Sequence, residues 1–191
     1  MGRVIAFFQP GWADWEAGPV LAMLREAGRF AVTVLTPDGG PQTSIGGVRA
    51  SADGAFHEVT ATDADIYLII GSDAWPGWRD EALDRLLRSA LASERIVGAI
   101  CAGTVAAARA GLFAGRAHTS NGAAWLASHA ADYPGAEHYV DTPRAVSAGR
   151  LVSAPGSAPQ TFCSAILHLA MPEHASLIAD NDAMMAREWI V

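Results

Sequence analysis

Four short and almost continuously apolar segments constrain the fold of this chain more than any other feature. They cover residues 4–8, 31–35, 66–70 and 96–100. A strand that is apolar at nearly every position is buried on both faces, as in a parallel sheet covered by helices. A further strand is predicted near residues 150–153. The sequence therefore predicts a sheet that is mainly parallel.

Helical patterns separate these segments. Residues 80–91 repeat leucine and alanine at helical spacing and begin with two acidic residues, which suit the first turn of a helix. A second pattern covers about residues 15–27, ends at Gly28 and contains Pro19, so we expect this helix to start late or to be kinked there. A third pattern follows at about residues 159–170. The alternation of strands and helices predicts an α/β fold with helices on both faces of the sheet.

The rest of the chain shows no sign of a second domain. Residues 40–59 contain paired glycines and short extended stretches, which indicate a small excursion with a turn. Residues 172–191 predict a C-terminal helical tail, whose apolar stripe reaches Trp189 and either docks on other helices or forms a subunit contact. The chain of 191 residues has no repeat or linker and is an ordinary size for one domain. We therefore predict a single domain over residues 1–191.

Composition and spacing exclude several classes of protein. A formal net charge of −7 without a basic cluster argues against nucleic-acid binding. No apolar segment approaches the roughly 20 residues that a membrane-spanning helix needs. Two cysteines without a CxxC motif exclude a disulfide scaffold and a zinc ribbon, and the six histidines lack metal-ligand spacing. We expect a cytoplasmic protein that binds a small molecule and needs no cofactor, metal, nucleic acid or membrane.

One segment carries the chemistry. The apolar residues 96–100 run directly into Cys101, which is followed by Ala102, Gly103 and an alanine-rich helical pattern. This is the layout of a nucleophile elbow, in which a sharp turn exposes the nucleophile at the carboxyl end of a strand. The helix N-terminus behind the cysteine is expected to favour the thiolate. A buried structural cysteine fits the same pattern, and that is our interpretation of Cys163, inside a predicted helix.

Three stretches of the sequence resemble the ThiJ/PfpI superfamily, which is related to class I glutamine amidotransferase domains. They are FFQPGWADWE at residues 7–16, IGS at residues 70–72, and AICAG at residues 99–103, which continues into AGLFAGR at residues 110–116. In order and spacing the resemblance covers about residues 1–170. It implies a flavodoxin-like, three-layer α/β/α sandwich.

The resemblance also implies an active site. Cys101 would be the reactive cysteine, with Glu16 beside it, where a carboxyl of raised pKa can donate a hydrogen bond to sulfur. The backbone N–H groups of Gly71, Ser72 and Ala102 would hold an oxyanion. From the residues alone, Glu16 would instead be a solvated acid in the first turn of a helix.

The sequence departs from the family pattern where a base is needed. Ala102 stands where many members carry a histidine, and Asn121 stands where others do. An asparagine can orient a substrate or water but cannot accept a proton at neutral pH. The His-x-Glu of the amidotransferases is also missing, since residues 153–159 contain neither residue type. No base for Cys101 is therefore evident.

The candidate pocket includes Asn121 and its neighbour in sequence, His118. Several tryptophans follow predicted strands, where a rigid aromatic ring can line a ligand site, pack a loop or form a dimer interface. They are Trp12, Trp15, Trp75 and Trp78, of which Trp12 and Trp75 are assigned to the pocket.

Three functions fit these observations. The first is a small-molecule hydrolase or amidotransferase-like enzyme, in which the cysteine attacks a carbonyl or amide electrophile. The second is a cysteine-based oxidative-stress sensor. The third is a non-catalytic ligand-binding protein. The intact elbow favours the first two, whereas the missing histidines favour the last two. In each case we expect a homodimer.

Overall fold

A mainly parallel sheet runs through the computed structural model, which describes residues 1–26 and 29–188. Within those residues the sheet has seven strands, which are β1 (Gly2–Phe7), β2 (Phe30–Thr36), β5 (Gly54–Ala55), β6 (Ile66–Ile69), β7 (Ile96–Ile100), β8 (Val146–Ala148) and β9 (Leu151–Ala154). Their order across the sheet is β5-β2-β1-β6-β7-β9-β8, and β8 alone pairs antiparallel to its neighbour. A separate antiparallel hairpin joins β3 (Gln42–Thr43) to β4 (Arg49–Ala50).

Helices cover both faces of this sheet. In the described part of the chain they are α1 (Asp14–Glu26), α2 (Glu81–Ala92), α3 (Gly103–Arg109), α4 (Ala123–His129), α5 (Pro159–Ala170) and α6 (Ala175–Ala186). Helices α1 and α5 pack on one face, α2 and α3 on the other, and α6 packs against α5. The predicted flavodoxin-like sandwich of three layers is therefore confirmed.

The apolar strands explain why the sheet is covered twice. Along β1, Val4 and Ala6 belong to the core beneath α1 and α5, whereas Ile5 and Phe7 belong to the core beneath α2 and α3. All four residues are buried. Because successive side chains point to opposite faces, a strand without polar positions needs a helical layer on each side.

Two details of the helices differ from the expectation or extend it. Helix α1 begins at Asp14 and continues through Pro19, so it does not start late. Asp80 caps α2 by accepting a hydrogen bond of 2.7 Å from the Ala82 N–H. The expected helix end at Gly28 and the apolar residue Trp189 lie outside the described residues.

The C-terminal tail forms α6. Ile178 is buried, whereas Leu177 and Met184 are exposed, so a subunit contact through this helix stays a prediction. No helix among the described residues is both long and apolar enough to span a bilayer.

The topology brings distant parts of the chain to one edge of the sheet. Strands β1, β6, β7 and β9 are neighbours and run parallel. Strand β1 lies where the strand order reverses, with β2 on one side and β6 on the other. The crevice outside the carboxyl ends of such strands is the usual ligand site of an open α/β sheet. The segments that follow these strands carry Glu16, Gly71, Cys101 and Gly156.

Candidate active site

Cys101 forms a sharp turn between β7 and α3. Its φ angle is +56°, in the left-handed region that residues other than glycine rarely adopt. The turn is held on both sides, because the Cys101 N–H donates to Ala154 O at 2.9 Å and the Cys101 carbonyl accepts from the Thr104 N–H at 3.1 Å. A strained turn of this kind is the geometry of a nucleophile elbow.

Three glycines make room for the elbow. A methyl group on Gly71 would lie 2.7 Å from Cys101 Cβ, and one on Gly156 would lie 2.7 Å from Cys101 Sγ. A methyl group on Gly103 would press against the Ile69 carbonyl. These distances are shorter than real carbon contacts allow, so the turn depends on glycine at all three positions.

Glu16 is fully buried beside the thiol. Its Oε2 accepts a hydrogen bond of 2.9 Å from the Gly71 N–H, whereas Oε1 has no hydrogen-bond partner within the described chain. The position of a methyl group on Gly156 would be 2.9 Å from Oε1 and 2.7 Å from Cys101 Sγ, so both atoms face the same small space. The structure therefore brings the predicted pair together.

Burial raises the pKa of Glu16 to about 7. The neighbouring Cys101 thiol and the Gly71 N–H both favour the ionised carboxylate, but they do not outweigh the loss of water around it. At neutral pH the carboxyl is thus poised between its protonated and ionised forms, which is the range in which general acids and bases operate.

The pKa of the Cys101 thiol is raised, whereas the sequence led us to expect that it would be lowered. Burial, followed by the charge of Glu16, raises the pKa of Cys101 to about 11. The amide of Asn121 and the Ala102 N–H lower it by less. Helix α3 has only seven residues. The helix N-terminus that was expected to favour the thiolate therefore does not outweigh burial and the neighbouring carboxylate.

Asn121 contacts the sulfur directly. Its Nδ2 donates to Cys101 Sγ at 3.2 Å, and its Oδ1 accepts from the Gly156 N–H at 2.9 Å. Because the Gly156 N–H can only donate, it fixes which end of the amide faces the sulfur. The residue that replaces a histidine is thus a hydrogen-bond donor to Cys101.

The predicted oxyanion donors are not equivalent. The Gly71 N–H is committed to Glu16, so it is not free to hold an oxyanion in this arrangement. The N–H groups of Ser72 and Ala102 have no carbonyl or side-chain oxygen acceptor among the described residues, and the Ala102 N–H lies beside the sulfur. The Ser72 hydroxyl donates to Pro10 O at 2.5 Å. Two of the three predicted donors therefore remain available.

The two tryptophans assigned to the pocket are buried elsewhere. Trp12 is 7% exposed and stacks on Phe8 with ring centroids 4.2 Å apart. Trp75 is 1% exposed and donates from Nε1 to Ile70 O at 2.7 Å. Both rings fold back from their loops onto the core, because burying so large an apolar surface is favourable. Their assignment to the pocket is corrected to core packing.

His118 is also a structural residue. It is fully buried, stacks on Phe113 at 4.1 Å, and has Nδ1 2.9 Å from Arg116 O and Nε2 2.9 Å from Tyr133 Oη. The carbonyl requires a proton on Nδ1, so Nε2 accepts from Tyr133. Burial lowers the pKa of His118. With both nitrogens occupied it does not face Cys101, and its assignment to the pocket is corrected.

Two residues complete the site beyond those assigned to it. Gly156 contacts Asn121 and approaches both Cys101 and Glu16, and Trp15 donates from Nε1 to Gly156 O at 3.1 Å. Half of Trp15 is exposed, so this ring forms the outer edge of the site. A glycine just after the fourth neighbouring parallel strand was the available signal in the sequence. No cluster of three or more potential metal ligands occurs among residues 1–26 and 29–188.

Comparisons with known proteins place this geometry in a family. The model of the DJ-1/PfpI family matches residues 2–169. Among curated proteins, the "Uncharacterized protease YoaZ" of Bacillus subtilis (strain 168) is 28% identical over 162 residues, which cover 81% of this chain and 77% of that protein.

Solved structures agree with the family match. The DJ-1 superfamily protein Atu0886 from Agrobacterium tumefaciens has a TM-score of 0.90 at 30% identity, with 100% of both chains covered. The ThiJ/PfpI family protein from Bacillus anthracis has a TM-score of 0.78 at 29% identity and covers 87% of this chain and 81% of its own. The resemblance found in the sequence is confirmed, and this chain belongs to the DJ-1/PfpI family.

Proposed function

We propose that this protein is a cysteine-dependent enzyme that acts on small carbonyl or amide electrophiles, with Glu16 as the acid–base partner of Cys101. One observation carries the proposal. The unpartnered Oε1 of a carboxyl whose pKa is raised to about 7 faces the same space as the sulfur. A general base positioned near its working pH replaces the histidine that the sequence lacks.

The proton balance follows from the two groups. The resting thiol is protonated, since its pKa is raised to about 11. As the sulfur attacks a carbonyl carbon, the S–H proton passes to the Glu16 carboxylate, the S–C bond forms, and the C=O π electrons move to oxygen. With an aldehyde, protonated Glu16 returns the proton to that oxygen and a hemithioacetal results. With an ester or amide, the proton goes to the leaving group and a thioester remains for water to hydrolyse.

The oxygen that gains charge needs hydrogen-bond donors. The N–H group of Ala102, beside the sulfur, and that of Ser72, next to Gly71, are the available donors of the three expected from the sequence. Backbone donors that are already oriented lower the barrier because they need no rearrangement during the reaction. Gly71 contributes indirectly, since its N–H holds Glu16 in place.

The surroundings of the sulfur favour a small substrate. Gly156 and Asn121 lie against Cys101 Sγ, and Trp15 covers the Gly156 carbonyl. A groove of about 840 Å³ exists between α5, α6 and the segment around β8, but Cys101, Glu16 and Asn121 do not line it. The relative from Bacillus subtilis bears the name of a protease.

An oxidative sensor is the second candidate, and the same carboxyl favours it. When protonated, Glu16 can donate a hydrogen bond to an oxygen of a Cys101 sulfinate and hold the cysteine at that stage of oxidation. A thiol with a raised pKa reacts slowly with peroxide, however, because the thiolate is the reactive species. For this reason we place the enzyme first.

The decisive experiment measures turnover and its pH dependence together. Wild type, Cys101→Ser, Glu16→Gln and the exposed control Glu26→Gln are assayed with an aliphatic aldehyde, an activated ester and a primary amide between pH 5 and pH 9. We expect hydrolysis of the ester or the amide, or formation of a covalent adduct with the aldehyde, that requires Cys101. Its rate should rise with pH with a midpoint of about 7 in wild type and in Glu26→Gln. Glu16→Gln should lose both the midpoint and most of the rate, about 10²–10⁴-fold.

Three results would overturn the proposal. They are turnover that survives in Cys101→Ser, a pH midpoint that persists in Glu16→Gln, and no reaction with any of the three classes. In the last case, mass spectrometry after dilute peroxide tests the sensor. A sulfinate that is stable in wild type but not in Glu16→Leu supports that role.

A further inference from the structure

A single tyrosine hydroxyl holds the segment that carries Asn121. The Ser120 N–H donates to Tyr139 Oη at 3.2 Å, and the Tyr139 hydroxyl donates to the Ser120 carbonyl at 3.1 Å. Both backbone polar groups of the residue before Asn121 are therefore satisfied by one side-chain atom. A buried peptide that lost these partners would have to move toward water or other partners.

The side chain of Ser120 ties the same residue to the elbow. The Thr104 hydroxyl donates its one proton to the Cys101 carbonyl at 2.5 Å, so the Ser120 hydroxyl, 2.6 Å away, donates to Thr104 Oγ1. On the other side of Asn121, Gly122 has a φ angle of +141°, which favours glycine, and leads into α4. Hydrogen bonds with Tyr139 and Thr104 therefore hold Ser120 in place, and the position of Ser120 sets where the Asn121 side chain meets the sulfur.

We propose that Tyr139 is a positioning residue of the Cys101 site, which acts through Ser120 to hold the Asn121 amide between Cys101 Sγ and the Gly156 N–H. The amide must satisfy both contacts at once, at 3.2 Å and 2.9 Å. A small displacement of residue 120 lengthens one of them. Because the Asn121 N–H donates to the sulfur and a hydrogen bond of this kind favours the ionised form, Tyr139 governs how readily Cys101 ionises.

The hydroxyl can be removed without displacing the ring that bears it. The ring of Tyr139 packs edge-on against His118, with centroids 5.6 Å apart. The next residue, Val140, donates its N–H to His118 O at 2.8 Å. Tyr139→Phe retains both contacts, so we expect it to fold and to change only the two bonds to Ser120.

Tyr133 provides a matched control in the same aromatic cluster. Its hydroxyl is 2.9 Å from His118 Nε2, and it has no hydrogen bond to Ser120 or Asn121 among the described residues. Tyr133→Phe therefore also deletes one buried hydroxyl next to His118. It differs from Tyr139→Phe in leaving the Ser120 peptide untouched.

The test measures the rate at which iodoacetamide alkylates Cys101 at a fixed pH below the thiol pKa. Glu16, the charged group that faces the sulfur, is retained in every variant. Loss of a hydrogen bond to an ionised group raises a pKa by about one unit or more, so Tyr139→Phe should slow alkylation about tenfold. Asn121→Ala should have a similar effect, and the double variant should be no slower than Asn121→Ala alone. Tyr133→Phe should match wild type.

Hydrogen exchange gives a second readout that does not involve the thiol. The Gly156 N–H, whose acceptor is Asn121 Oδ1, should exchange about tenfold faster in Tyr139→Phe and at the wild-type rate in Tyr133→Phe.

The proposal is overturned if Tyr139→Phe alkylates and exchanges like wild type, if Tyr133→Phe slows alkylation equally, or if the effect of Tyr139→Phe persists in the Asn121→Ala background. It rests on the proposed function only in taking Cys101 as the reacting group. Neither measurement needs a substrate. A negative result for Tyr139 therefore leaves the proposed enzyme activity standing, and a failure to find turnover does not overturn the role of Tyr139.

Discussion

Glu16→Gln should make the protein more stable at alkaline pH and hardly change it at acid pH. The pKa of the buried carboxyl is raised from 4.5 to about 7, so the native state holds this proton more tightly than the unfolded chain does. Between these two values the native state binds more protons, and the free energy of unfolding therefore falls as pH rises. The separation of the two pKa values corresponds to about 3 kcal/mol lost in full above pH 7.

The glutamine variant removes this dependence while it retains the geometry. Its side-chain oxygen can still accept the Gly71 N–H, as Oε2 of Glu16 does at 2.9 Å, but it carries no charge at any pH. Relative to wild type, Glu16→Gln should gain about 2–3 kcal/mol between pH 5 and pH 8. In a chain of this size that gain corresponds to a melting temperature about 5–10 °C higher at pH 8.

Urea denaturation followed by tryptophan fluorescence at several pH values measures the difference. Other groups titrate over the same range, but they contribute equally to both proteins and cancel when the variant is compared with wild type. Glu26→Gln, at the exposed end of the same helix, is the control and should follow the wild-type pH dependence. Parallel curves for wild type and Glu16→Gln would refute the reasoning, because they would mean that burial does not perturb this carboxyl.

Three further outcomes are expected. At pH 8, iodoacetamide should label Cys101 at least about tenfold faster than Cys163, since the pKa of the fully buried Cys163 is raised further, to about 12. Mass spectrometry locates the label, and preferential labelling of Cys163 would contradict this prediction. Gly156→Ala should abolish the labelling of Cys101, because its methyl group would lie 2.7 Å from Sγ. The control Gly18→Ala, at an exposed position of a helix, should not affect the site. It should raise the free energy of unfolding by about 0.5–1 kcal/mol, measured by urea denaturation. Casein should not be hydrolysed, because Gly156 and Asn121 lie against Cys101 Sγ and leave room only for a small substrate. Casein hydrolysis that is lost in Cys101→Ser would contradict this restriction on substrate size.

The sheet was predictable because its signal is local. Residues 4–7 of β1 and the whole of β7 carry no polar position, which by itself requires helices on both faces. The elbow follows from an apolar strand that runs into Cys101 and then into the small residues Ala102 and Gly103. The placement of Glu16 beside Cys101 had no such signal. It came from the family resemblance, because a lone acid in a first helical turn looks the same whether buried or solvated.

The errors have a common physical origin. Trp12 and Trp75 occupy loops at the correct edge of the sheet, but the sequence does not show whether a loop ring turns outward or onto the core. The thiol pKa depends on burial and on Glu16, which is distant in sequence, so the local pattern around Cys101 predicted the wrong direction. The Gly71 N–H is likewise occupied by a partner from another segment. Each of these properties is set by contacts between segments rather than within one.

Asparagine in place of histidine changes the charge of the candidate site around Cys101. An amide takes up no proton, so of Glu16, Cys101 and Asn121 only the first two titrate, with pKa values of about 7 and about 11. The form that has lost one proton then carries one negative charge, on the carboxylate before proton transfer and on the sulfur after it. A protonated histidine in place of Asn121 would offset that charge. Asn121 stabilises the sulfur-centred form without competing for the proton. Such a site should prefer neutral electrophiles over anionic ones, and added salt should speed the reaction of Cys101 with iodoacetate but not with iodoacetamide. Equal salt dependence for the two reagents would show that the reactive site bears no net charge.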